Sequence, residues 1–155
     1  MRPFGPAALR LCVGAVFVAH GAQKLFGVWG GHGLDGTTAY FASLGLTPAY
    51  PLAALTALTE FAGGMLLILG WLTRWVALAL AIDMAVAVYK VHYPNGFFLN
   101  WELTPGHGHG IEYNVVLIGA LVCLMLTGPG AVSLDEWRNQ SAEAESRARA
   151  RARKV

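Results

Sequence analysis

Seven ionisable side chains lie inside otherwise apolar stretches of the chain: Arg10, His20, Lys24, Glu60, Asp83, Lys90 and Glu112. A charged side chain at the centre of a membrane helix costs ~2.5–3.5 kcal/mol on insertion scales. Seven of them must therefore pair, snorkel or face a polar cavity. An imidazole, an ammonium and a carboxylate within reach of one another can hold a polar ligand, move a proton and stabilise developing negative charge. His20 and Lys24 are four residues apart and share a helix face. Glu60 is the only ionisable residue in its apolar block. Left ionised and unpaired in lipid it would be costly, so the sequence predicts that it bonds to His20 or Lys24 in one connected site.

The elements that must position these groups are four apolar blocks: about 6–27, 52–69, 75–91 and 111–127. A helix needs ~17–25 residues to cross the hydrocarbon core, and all four blocks reach that range. Leu, Ala and Val dominate without an alternation of period two, which argues against a β-barrel. The composition agrees. The 155 residues are 55% hydrophobic and 13% charged, with a formal net charge of +2, where soluble domains run nearer ~25% charged. The expected fold is all-α, an integral membrane four-helix bundle over 1–133, followed by a short helix and a flexible basic tail over 134–155. The alternative for the first block is a cleaved signal peptide, with Arg2 and Arg10 ahead of a short apolar core. Its apolar character continues to Phe26 and meets Trp29, as a helix ending at an interface does.

Periodicity turns the polar groups inward. Arg10, Gly14, Phe17, Gly21 and Lys24 follow spacings of three and four, as do Thr56, Glu60, Gly63 and Gly70, and the small residues on these stripes permit close helix approach. At ~1.5 Å per residue, Glu60 lies ~15 Å and His20 ~10 Å from the outer ends of their helices. His20, Lys24, Glu60, Lys90 and Glu112 can then populate one funnel that opens outward. Asp83 is deeper, and its membership depends on helix rotation. Arg10 is expected to snorkel to the inner surface.

With four helices, both termini and the Thr73–Arg74 turn share one side, which collects nine Lys or Arg (Arg2, Arg10, Arg74, Arg138, Arg147, Arg149, Arg151, Arg153 and Lys154) against Lys24 and Lys90 on the other. The positive-inside rule makes that side cytoplasmic, with Trp71, Trp75 and Trp137 at the inner interface and Trp29 and Trp101 at the outer one. The first outer loop is expected to hold a short interfacial helix capped by Asp35 and running to Leu44. The second, 93–110, is rich in Gly and Pro and is expected to be irregular. Ser133-Leu-Asp-Glu136 fits a capping box. The tail suits solvation or attraction to anionic lipid, and no nucleic-acid partner is expected.

All five histidines map to the outer half or the outer loops. His107-Gly-His109 has metal-binding chemistry but no rigid backbone or fixed-spacing motif, so no metal site is assigned. Cys12 and Cys123 have no CxxC partner and are expected to be apolar fillers.

At His20-Gly-Ala-Gln-Lys24-Leu-Phe-Gly27, Glu60-Phe-Ala-Gly63-Gly64, Thr73-Arg74, Gly110-Ile-Glu112 and Gly128-Pro-Gly130, followed by Ser133-Leu-Asp135, the sequence resembles the DoxX family of small four-helix membrane proteins. Together these pieces cover roughly residues 7 to 135. The resemblance implies a bacterial or archaeal inner-membrane protein. It also implies an association with quinone-linked oxidation, including that of reduced sulfur compounds, and with membrane oxidoreductase complexes.

Two classes of function follow. The first is a subunit of a quinone-linked oxidoreductase system. His20 would donate to a quinone carbonyl, Lys24 would stabilise negative charge, Glu60 would relay the proton, and Glu112 would connect that relay to the outer phase. These four are the candidate catalytic residues. Phe26, Phe61, Tyr113 and Asp83 are the candidate cofactor contacts. The sequence carries no haem, flavin or iron–sulfur motif, so electrons are expected from a small donor or a partner subunit. The second is a non-catalytic membrane scaffold, in which the polar cluster fixes helix register and the protein binds a partner oxidoreductase subunit or further copies of itself. A small-solute or proton pathway is a third reading.

Overall fold

The computed structural model describes residues 4–152, whose backbone is all-helical among the described residues. The basic residues Arg2, Arg153 and Lys154, counted above on the cytoplasmic side, lie outside the described residues. Six α-helices follow in order: α1 (Gly5–Phe26), α2 (Gly33–Ser43), α3 (Ala49–Leu69), α4 (Thr73–Ala87), α5 (Glu112–Thr127) and α6 (Leu134–Ala152). Three stretches are long and apolar enough to cross a membrane: Gly5–Phe26, Ala49–Leu69 and Thr73–Asn95. The fourth, α5, has 16 residues. It completes the bundle, packing against α4 and α1.

The bundle is built on the α1–α3 contact. Gly14 and Gly64 meet where the helices cross, and a methyl group added to either would lie 2.7 Å from the other's carbonyl oxygen. Gly21 meets the backbone of Phe61 in the same way, about two turns further along α1. Side chains at these points would force the helices apart. Around this seam Val13, Phe17, Leu67, Leu80, Leu121 and Leu124 fill the core.

The turn between α3 and α4 is short, so the two are antiparallel neighbours. Gly70 ends α3 in the left-handed region (φ 67°), and the Trp71 amide returns to the Leu66 carbonyl at 2.9 Å. The free amides that open α4 are capped from far along the chain. The Asp135 carboxylate accepts from Leu72 N and from Thr73 N, both at 2.9 Å. Glu136 N donates to Ser133 Oγ at 3.2 Å, the first half of the expected capping box.

Four local expectations are corrected. Arg10 does not snorkel; it is 3% exposed. Its guanidinium donates to the carbonyls of Leu67 and Ile68 in the last turn of α3 and to those of Pro129, Ala131 and Val132. Helix-terminal carbonyls lack intrahelical partners and carry negative dipole character, which explains this placement. The outer helix α2 begins at Gly33 with His32 at its N-cap, so Asp35 lies in the first turn rather than at the cap. The third apolar block leaves α-helical geometry at Val88–His92, a π-helical turn, and ends as a 3₁₀ turn at Tyr93–Asn95. The basic tail is helical through Ala152. Ala and Arg favour helix, and Glu143–Arg147 and Glu145–Arg149 pair one turn apart.

The second outer loop has no α-helix, but it is tied down. Gly110 N bonds to Phe98 O, Ile111 N to Gly96 O and Glu112 N to Phe97 O. The Asn100 side-chain amide donates to the carbonyls of Thr104 and His107.

Candidate functional site

In the outer half of the bundle the helices part around a cavity of about 510 Å³. Its floor is Phe17 and Leu117, both core residues. Its walls come from α1, α2, α3, α4 and α5, and Leu99, His92 and His109 close it from the outer loop.

One wall is charged. Lys24 Nζ donates to Glu60 Oε2 at 2.5 Å, with side-chain exposures of 27% and 3%. The pair joins α1 to α3 just beyond the Gly21–Phe61 contact, so the close backbone approach is what lets a lysine reach a mid-helix carboxylate. Asp83 of α4 faces Glu60 and Thr56 from the third side. Its Oδ2 is buried with no hydrogen-bond partner among the described residues. Two carboxylates thus meet one ammonium. Such a set binds a proton or a donor group readily, because a second unpaired buried charge is costly.

His20 lies one turn from Lys24 on α1 and faces the same cavity. It makes no hydrogen bond to Glu60, so the ion partner of Glu60 is Lys24. Tyr113 and Asn114 of α5 line the opposite wall. Asn114 is buried, its amide nitrogen 3.7 Å from Met84 Sδ. Lys90 also reaches the lining.

Five of the eight sequence-derived site residues therefore meet at one cavity: His20, Lys24, Glu60, Asp83 and Tyr113. The other three do not. Glu112 turns its carboxylate to the loop, accepting from Leu99 N at 3.0 Å. Phe26 and Phe61 pack edge to face with ring centroids 5.4 Å apart, and Phe26 is 63% exposed on the outside of the bundle. Asn114 and the α2 wall were not anticipated. Asn114 shares the buried stripe of Leu117, Leu121 and Leu124, and a polar residue on that stripe was the available signal.

His109 serves the loop as well as the cavity. Its Nδ1 accepts from Asn100 N at 3.2 Å, and its carbonyl meets His92 Nδ1 at 2.9 Å. The His-Gly-His segment is thus part of the framework that closes the cavity.

The DoxX family model matches residues 5–93. The chain is 36% identical over 141 residues to "Inner membrane protein YphA" of Escherichia coli, covering 86% of this chain and 90% of that protein. It is 33% identical over 141 residues to "Uncharacterized membrane protein Rv3486" of Mycobacterium tuberculosis, covering 88% and 82% respectively. It is 30% identical over 133 residues to "Putative oxidoreductase CatD" of Bacillus subtilis, covering 84% of each. No solved structure matches the chain.

Proposed function

The chain belongs to the DoxX family, and from that membership and the cavity together we propose that it is a membrane subunit of a quinone-linked oxidoreductase system. The observation that carries the reading is the cavity of about 510 Å³, with a Lys24–Glu60 ion pair and Asp83 at one side of a mainly apolar lining. That combination suits a flat apolar ring bearing polar oxygens. The name of the Bacillus subtilis relative, an oxidoreductase, points the same way.

When bound, a quinone would supply reversible reduction by two electrons and two protons. The residues of this chain hold and orient it. Phe17, Met84 and Leu117 offer apolar contact to the ring, and Lys24 and His20 offer donors for its oxygens. Glu60 and Asp83 stand beside it as carboxyl groups that can take up and pass on its protons. Glu112, bonded to the loop backbone, acts on the site only by holding the cover in place. The electrons come from a partner subunit or a small donor. The site belongs to the end of the bundle opposite the basic tail, and by the positive-inside rule we read that end as the outer face of a bacterial or archaeal inner membrane.

The test is quinone binding by the full chain in lipid nanodiscs. Wild type is expected to retain a near-stoichiometric quinone on extraction and mass spectrometry. Glu60→Gln and Lys24→Met are expected to lose it while staying folded. A scaffold would instead show no bound quinone in any form of the protein, wild type included.

A further inference from the structure

We infer that the ligand of this cavity is a tailed amphiphile that enters from the lipid through an apolar doorway between α2 and α4. The proposal deepens the quinone reading and rests on it for the choice of probe.

Rotation of α4 fixes where the doorway lies. Met84 turns toward α5, where Asn114 meets its sulfur, and Asp83 turns toward Glu60 on α3. Val86 follows Asp83 by three residues and so lies on the α3 side of α4, away from α5. In the inner half that side is closed, because Leu80 packs on Gly63 of α3. In the outer half α3 contributes only Thr56 and Glu60 to the lining, and the facing wall is α2 with Tyr40 and Leu44. The helix α2 is held by α3 and α1.

Tyr40 and Val86 both line the cavity, yet they are 47% and 49% exposed. A side chain that lines a cavity and is also open to the outside stands at its rim. Between Tyr40 and Val86 the rim is apolar apart from the tyrosine hydroxyl. Toward the outer face it turns polar, with Lys90 one turn beyond Val86 and His32 and His109 also exposed at the lining, whereas the ion pair lies further in. Depth places this rim in lipid. Val86 is ~20 Å along the helix from Thr73 at ~1.5 Å per residue, short of the ~30 Å hydrocarbon thickness. The head of the ligand is then drawn to Lys24, Glu60 and Asp83, and its tail lies between Leu44 and Val86.

The experiment compares two probes on the full chain in nanodiscs: a decyl-tailed benzoquinone and the same ring without its tail. Leu44→Trp combined with Val86→Trp narrows the doorway. Val86→Trp alone, at a half-exposed site, serves if the pair fails to fold. The tailed probe is expected to bind about tenfold or more weakly to the variant, with the tailless probe unchanged. Equal loss of both probes, or no loss of either, overturns the doorway. If wild type binds neither probe, the quinone reading fails and the doorway is judged by organic extraction. A tailed amphiphile carried by wild type and lost from the variant supports it; no such amphiphile, or equal amounts in both, overturns it.

Discussion

Glu60 meets the Lys24 ammonium on one side and faces Asp83 on the other. Glu60 is almost fully buried, so removing the ammonium would leave a carboxylate that must be neutralised or rehydrated. A double-mutant cycle with Lys24→Met and Glu60→Gln, read by thermal unfolding in detergent, is expected to give a coupling of ~0.5–3 kcal/mol. Additive losses would show that the two side chains act independently. This pair was legible in the sequence, because Glu60 had no other ionisable residue in its block and Lys24 lay at a matching depth. Asp83 was not, since its place depends on the rotation of α4, which an all-round apolar helix does not encode. Glu112 was misleading for a related reason. Its depth was right, but the loop folded back to use its carboxylate, and the backbone partner Leu99 N has no signature in side-chain spacing.

The helices were legible where apolar length and left-handed glycines mark them: Gly27 and Gly70 end α1 and α3 as C-caps. Contacts between distant elements were not. Arg10 ties α1 to the end of α3 and to the α5–α6 turn, and Gly70 leaves no room there, with the Arg10 guanidinium carbon 3.0 Å from where a methyl would sit. Replacing Arg10 by Ala leaves five carbonyls without their donor, two of them in fully buried hydrogen bonds. An unsatisfied buried group costs ~1–3 kcal/mol, so Arg10→Ala is expected to lower stability by at least ~3 kcal/mol in detergent unfolding. Arg10→Lys is expected to rescue little of this, because a single ammonium lacks the planar fork that reaches both sets of carbonyls. Full stability in the lysine variant would mean that charge alone, rather than the fork, holds the corner.

At the scale of the whole molecule, charge distribution and cavity position must agree. With Arg10 buried, the described basic residues on the side where α1 begins and α6 follows α5 are Arg74, Arg138, Arg147, Arg149 and Arg151. At the cavity end Lys24 is paired with Glu60, leaving Lys90. The exposed Trp71, Trp75 and Trp137 gather at the basic end, and Trp29 and Trp101 at the other, as interfacial belts do. The positive-inside rule weights Lys and Arg close to the span ends, and Arg74 and Arg138 flank α4 and α5 at short range. Both termini are therefore expected in the cytoplasm and the cavity cover at the outer face. A periplasm-active reporter fused after Arg153 should be silent, and one inserted near Gly36 should be active. The reverse pattern would turn the Lys24–Glu60 cavity toward the cytoplasm, and its protons would then exchange with the cytoplasmic rather than the outer phase.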